Sequence, residues 1–483
     1  MARAPVDVVR NETPGSGSRV AMLFLLAACR FDGSIPLDTG NAAPPTSDAG
    51  TPLPDGAVPM PDGAVLPFDG APDTGDAAPP ATHRQWSTPR TLSTRDAADA
   101  WGPDFAADAS GVFTVVWEQH GTEPTIHAMQ FVPATGWGAA TSIQAAPGFG
   151  ASPHIAVNAA GDIVAVWAQH DGTHYSVWAN RVMPGAGWGN AVLLETYHGG
   201  DASYAQVAID PAGNATAIWL NFVDGRADIW ASRFVPGIGW SAAGPVESND
   251  SGSADGIQIV AADDGSATAV WGQGPRQIWA ARFVPGAGWQ SPTLIREVEA
   301  GYAAAPQAVV DPAGRTIVGW SEFGADHGES WMTRYVPGTG WEIATRFAAG
   351  QAPTIAFDDA GNGTAVWVQH DVDHFAAWTR RFDATTGWDA PMLLGHDVAN
   401  VGFVDVDVTP AGVAVAVWDE GDIDDRQVHT SIYTPGVGWS SPAILSDRGD
   451  AFFPQVTVDQ AGNATAAWVQ RNGAIEVMAS TYR

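Results

Sequence analysis

Short apolar runs of four to seven residues alternate along most of this chain with clusters of Gly, Pro, Asp and Asn. One unit shows the pattern: Ala205-Gln206-Val207-Ala208-Ile209 reaches the turn Asp210-Pro211-Ala212-Gly213-Asn214, and Ala215-Thr216-Ala217-Ile218-Trp219 leads into a variable loop. Then Ile229-Trp230-Ala231-Ser232-Arg233-Phe234 reaches a second turn, Val235-Pro236-Gly237-Ile238-Gly239-Trp240. The runs are too short for helices, and no apolar period of 3.6 residues is sustained, so the unit predicts four strands. Asp-Pro-Ala-Gly-Asn suits a type I turn followed by a left-handed Gly, which predicts a tight hairpin between strands one and two.

The unit repeats. Trp117, Trp167, Trp219, Trp271, Trp320, Trp367, Trp418 and Trp468 recur every 47 to 52 residues. A second ladder runs out of phase at Trp86, Trp137, Trp188, Trp240, Trp289, Trp341, Trp388 and Trp439. Four short strands cannot bury both faces alone, so units of this period must stack as blades. The small residues of strand two allow close approach, and the ladder Trp fills the space between blades. The expected fold is all-β, an eight-bladed β-propeller of four-stranded blades over residues 85–483. The last unit reaches Tyr482 without a Gly-Trp segment, whereas Gln85-Trp86-Ser87-Thr88-Pro89-Arg90-Thr91-Leu92 matches the fourth strand at Gly438–Leu445. The N-terminal strand is therefore expected to complete the last blade.

Composition adds a location and some exclusions. Formal charge is −31, and all 22 basic residues are Arg. Without Lys there is no Schiff-base lysine and no Walker loop. An acidic ring repels nucleic acid and anionic lipid and favours cations, basic proteins or neutral ligands. The one cysteine, Cys29, excludes internal disulfides and follows the apolar run Val20–Ala28, which is too short to span a bilayer and of the right length for a secretory signal core. Leu26-Ala27-Ala28-Cys29 resembles the lipobox of bacterial lipoproteins. That resemblance implies a signal over 1–29, lipid attachment at Cys29, and a cell-envelope location with membrane contact only through the anchor. Residues 30–84, rich in Pro, Asp, Gly and Ala, are expected to form a disordered tether.

Candidate binding positions fall on the loops between strands two and three, which vary while the opposite turns stay alike. The position two after each ladder Trp is always polar: Gln119, Gln169, Asn221, Gln273, Glu322, Gln369, Glu420 and Gln470. These side chains either face a ligand or satisfy backbone groups where the loop meets the next blade. Gln119, His120, Gln169, His170, Glu322, Gln369, His370 and Glu420 are the ligand-binding candidates. His170-Asp171-Gly172-Thr173-His174 and His370-Asp371-Val372-Asp373-His374 share a metal-like spacing, but they belong to blades two and six and cannot form one site. In blade seven, Asp419, Asp422 and Asp424 offer oxygen ligands of the kind Ca²⁺ prefers. Trp-x-x-Arg recurs in strand three from Trp178 and Arg181 to Trp378 and Arg381, and reads as blade packing with Arg paired to a turn Asp.

The blade pattern Asp-x-x-Gly-Asn-x-x-Ala-x-Trp, followed by Ile-Trp-Ala-x-Arg-Phe-x-Pro-Gly-x-Gly-Trp, resembles the repeats of bacterial surface lipoproteins grouped with sialidase-like, BNR-type propellers. The sialidase Asp box has its Trp closer to the Gly, and no Arg-Ile-Pro motif is present, so no catalytic residue carries over. Near-uniform blades favour a non-enzymatic, monomeric binding module that recognises a glycan, a protein or an envelope component. Two alternatives stand beside it: a polysaccharide hydrolase using carboxylates among Glu118, Glu322, Asp419 and Glu420, and a structural scaffold in an envelope assembly.

Overall fold

The computed structural model describes residues 84–483 except 94–98, 145–146, 184–186, 196–198, 248–251, 325–327, 372–373, 396–398 and 448; Cys29 and the expected tether lie outside the described residues. The ring is built of eight antiparallel sheets. Blade three is representative: strands Asp201–Ile209, Ala215–Val223 and Arg226–Val235 lie side by side, and strand four is split into Gly239–Trp240 and Gly244–Pro245, both paired to strand three. The hairpin turn forms as its residues dictate. Asp210 N–H donates to Asn214 C=O at 2.9 Å, the Asp210 carboxylate accepts from Asn214 N–H at 2.9 Å, and Gly213 sits at φ +80°.

The eighth blade joins the two ends of the ring. Its strands Asp450–Val458, Ala464–Asn472 and Ala474–Tyr482 are completed by Arg90–Thr91, which pairs with Ala479 and Met478. Trp86 bridges Tyr482, and Gln85 N–H donates to Arg483 C=O at 2.9 Å. The rings of Trp86 and Tyr482 lie 5.4 Å apart, matching Trp240 on Phe234 at 5.6 Å within a continuous blade.

All eight Trp residues of the first ladder are fully buried. Each packs onto the preceding blade: Trp219 lies with Val164, Val166 and Val177 of blade two, and Trp117 with Ala467, Val477 and Ala479 of blade eight. The strand-three Arg residues tie the outer part of the junctions. Arg181 stands 3.5 Å over Phe234, Arg233 4.5 Å over Phe283, Arg282 3.9 Å over Tyr335 and Arg381 4.0 Å over Tyr433, each aromatic belonging to the next blade. Arg483 does the same between blades eight and one, 4.5 Å over Phe131. Arg233 also reaches the turn Asp210 at 3.2 Å and Gly265 C=O of the next blade at 3.0 Å. A cation over an aromatic face contributes about 0.5–2 kcal/mol, so these contacts supplement the apolar packing of the ladders.

Candidate functional site

The polar column after the ladder Trp turns inward. In a strand, residues two apart share a face, and the side chain at this position accepts a hydrogen bond from the indole N–H of its own Trp. Seven blades make the bond: Gln119, Gln169, Gln273, Glu322, Gln369, Glu420 and Gln470 accept at 2.8–3.2 Å. The amide N–H groups of Gln169 and Gln273 then donate to the carbonyls of Pro147 and Gly252 in the connection leading into the blade. Glu322 is also clasped by Arg296 at 2.6 and 2.9 Å. Asn221, one methylene shorter, is the exception: its amide and the Trp219 indole N–H are buried with no partner. The column thus holds the ladder in place.

The histidines and blade-seven acids are dispersed among separate tasks. His120 bonds Glu118, while His170 and His370 pack edge-on against Tyr175 and Phe375 at 4.8 and 5.1 Å. Asp171 organises its own loop by accepting from Thr173 N–H and Oγ1 at 2.8 and 2.6 Å, and these bonds hold its carboxyl well below the usual carboxylate range. Asp419 is buried and accepts from the backbone N–H groups of Gly402 and Phe403, at 3.1 and 2.5 Å. Burial nonetheless pushes its carboxyl up to about 6. Asp422 is exposed, and Asp424 pairs with Arg471 at 2.8 Å. Of the three carboxylates proposed for Ca²⁺, Asp419 and Asp424 therefore point to different partners while Asp422 faces solvent, and among the described residues no cluster of three His, Cys, Asp or Glu side chains forms.

A second polar column, thirteen residues before each ladder Trp, lies on strand one and lines the central channel: Asp104, His154, Gln206, Gln258, Gln307, Thr354, Asp405 and Gln455. Strand one has no sheet partner on its inner edge, so its inward N–H groups need acceptors. Asp104 accepts from Ile155 N–H of the next blade at 2.8 Å, His154 Nδ1 from Val207 N–H at 3.3 Å, and Asp405 from Val456 N–H at 2.9 Å. Asp407 takes Val458 N–H at 2.9 Å. Burial in the channel wall pushes the Asp405 carboxyl up to about 7, and the charges of Asp407 and Asp104 add to this. Sequence reading missed this column, although its constant spacing and unbroken polarity were visible.

Strand one carries a bulge in every blade near its loop-face end. In seven blades the bulge residue has positive φ: Gly102, Ser152, Tyr204, Gly256, Ala305, Ala352 and Phe453. A left-handed Tyr or Phe is costly, of the order of 1–3 kcal/mol, and is retained only where its surroundings fix it. Blade seven differs because the Asp419 carboxylate takes the N–H groups there, and its equivalent residue is Phe403. The rings of Phe403 and Phe453 meet edge-on at 4.5 Å, with Phe452 against Phe453 at 4.9 Å. Blades seven and eight thus bring two half-buried aromatic rings to the channel mouth, and the strand of Phe403 carries both Asp405 and Asp407 deeper in.

The sequence matches no protein-family profile and no curated protein. Solved structures do match. The BP39L lectin from Burkholderia pseudomallei is 12% identical, with a TM-score of 0.53 over 74% of this chain and 100% of that chain. A protein of unknown function from Dyadobacter fermentans is 10% identical, with a TM-score of 0.44 over 83% of this chain and 99% of that one. The intramolecular trans-sialidase from Ruminococcus gnavus is 11% identical, with a TM-score of 0.38 over 68% and 94%. At 12% identity the likeness to the lectin establishes the fold alone, and together with the eight sheets it makes this chain a β-propeller.

Proposed function

We propose that this chain is a non-enzymatic binding module, held at a bacterial cell envelope by lipid on Cys29, that recognises a glycan at the loop-face mouth of its channel. The observation that carries the reading is the Phe403 and Phe453 pair at the mouth, Phe403 on the strand of Asp405 and Asp407 and Phe453 on the neighbouring strand whose Val456 and Val458 N–H groups bond them. Aromatic faces stack on the C–H faces of sugar rings, and carboxylates take their hydroxyls. Binding is favoured over hydrolysis because the carboxylates first considered for catalysis are engaged: Glu322 with Trp320 and Arg296, Glu420 with Trp418, Asp419 with Gly402 and Phe403, and Glu118 with His120. The test is a glycan and polysaccharide array on the Cys29→Ala chain, with and without Ca²⁺. Saturable binding that Phe453→Ala abolishes supports the reading; binding indifferent to Phe453→Ala and Phe403→Ala overturns it.

A hydrolase reading keeps one observation in its favour: Asp405 and Asp104 share the channel, and the Asp405 carboxyl, pushed up to about 7, holds a proton near neutral pH. Release of reducing ends from a bound polysaccharide, lost in Asp405→Asn, would establish it.

A further inference from the structure

At the junction between blades five and six the strand-three Arg of the preceding blade does not stack on the next blade, and the tie runs the other way, with Arg380 lying 5.1 Å over Phe347 and donating to its carbonyl at 3.0 Å. Arg334 occupies the same strand position as Arg181, Arg233, Arg282 and Arg381, yet its guanidinium turns to Glu342 of its own blade at 2.6 Å. The residue after the second-ladder Trp is Gly, Ser, Gln or Asp in the other units, as at Gly138, Ser241, Gln290 and Asp389, so Glu is the outlier. A cavity of about 240 Å³ lined by Phe382 and Trp388 lies beside Arg334, on the turn face opposite the channel mouth. Its floor is Ile317, Met332, Phe357, Phe382 and Trp388, and Arg334, Glu342 and Arg315 stand at its rim.

Two further exceptions shape the same junction. Phe357 stands where the other blades carry Ala, Val or Ile, as at Ala107, Ile209 and Val408. It fits because strand two begins with Gly363, where an added Cβ would lie 2.8 Å from the Phe357 ring. Both rim cations are neutralised, Arg334 by Glu342 and Arg315 by Asp311 at 2.5 Å. The cavity therefore offers aromatic walls and a ring of hydrogen-bonding groups without net charge. Its volume is below the roughly 300 Å³ at which sites for drug-sized ligands begin, which suits a single saturated ring.

We propose that the cavity between blades five and six is a binding site for one neutral pyranose ring, such as the terminal residue of a glycan. Phe382 and Trp388 take the C–H face of the sugar, and Arg334, Glu342 and Arg315 take its hydroxyls. The choice of a sugar rests on the glycan reading above, but the site is separate from the channel. The test is saturation-transfer NMR of the Cys29→Ala chain with a panel of neutral methyl pyranosides. The key variant is Glu342→Ser, which installs the residue found at Ser241 and Ser440, where the blades pack normally. It frees Arg334 to stack on Phe382 and close the cavity, and circular dichroism is expected to show an unchanged fold. The expected result is binding that weakens about tenfold or more in Glu342→Ser and persists in Phe453→Ala. Binding that survives Glu342→Ser but is lost in Phe453→Ala overturns the cavity site and leaves the channel reading standing. A wild-type chain that binds no pyranoside overturns the cavity site, and the polysaccharide array then decides the channel on its own.

Discussion

Asp405 makes the pH dependence of this ring testable at one atom. Among the described residues its carboxyl accepts one inter-blade hydrogen bond, from Val456 N–H at 2.9 Å, and it sits in the channel wall beside the charges of Asp407 and Asp104. Burial is the largest cause of its shift, from 3.8 to about 7. Because the folded value lies above the unfolded one, the native state binds more protons than the unfolded chain between about pH 4 and pH 7. Stability therefore falls as pH rises through that window, and the whole penalty is present above it. Three pH units at 1.36 kcal/mol each give at most about 4 kcal/mol. For a ring of about 400 residues, an unfolding entropy near 2 cal/mol/K per residue turns this into about 5 °C of melting temperature. In Asp405→Asn the amide oxygen accepts the same N–H and carries no charge. The variant is expected to melt with the wild type at pH 4.5 and about 5 °C above it at pH 8.5, by calorimetry. The gap should persist in 0.5 M NaCl, which screens the diffuse repulsion of the acidic surface over about 4 Å but not a desolvated channel carboxylate. Melting curves that run parallel from pH 4.5 to pH 8.5 would refute the reasoning, since Asp405 would then titrate like a carboxylate in water.

Four other expectations follow from the packing. Asn221→Gln lengthens the one side chain too short for its indole, at a position that accepts Gln in five other blades; it is expected to stabilise the ring by about 1–2 kcal/mol, read by urea denaturation. Asp450→Ala strips a buried bidentate partner from Arg426, bonded at 2.7 and 2.8 Å, and should cost about 3–5 kcal/mol. Asp424→Ala, which removes an exposed partner of Arg471, should stay within about 0.5 kcal/mol. Deleting residues through Leu92 removes the outer strand of blade eight, including buried Leu92 and the Trp86 contact with Tyr482. It should lower stability by about 3–5 kcal/mol and expose the edge of Ala474–Tyr482, which gel filtration would report as association.

What could be read from the sequence followed the repeat, and what could not followed departures from it. The eight blades and the shared last blade were legible because the two Trp ladders fix the period, and Gln85–Leu92 is recognisably a displaced strand four. The indole-holding role of Gln119 and its equivalents was also within reach, because residues two apart in a strand lie on one face; the backbone partners that the column suggests are met at Gln169 and Gln273, beside the buried indole donor. The bulge was hidden. Gly102 and Gly256 mark it openly, but Ala305, Ala352, Tyr204 and Phe453 adopt the same left-handed backbone with no sign in their residue type.

Asp419 shows why an exception can mislead. At a position that is small or apolar in six blades and Glu118 in blade one, a carboxylate in an acidic loop reads as a metal ligand. In the folded ring it stands opposite the bulge of strand one, accepting from Gly402 and Phe403, and the Phe403 backbone there has no positive φ. The same substitution thus turns Phe403 toward Phe453 while leaving blade seven inside the ring. Glu342 works by the same logic at the opposite face, where one acid holds Arg334 within its own blade beside the cavity lined by Phe382 and Trp388. In a near-uniform repeat the informative residue is therefore the one that redirects a shared contact, and its partner in the neighbouring blade tells more than its own chemistry. Asp419 and Glu342 are carboxylates whose effect is to rearrange aromatic surfaces, which is why neither the charge count nor the motif search pointed to Phe403, Phe382 or Trp388.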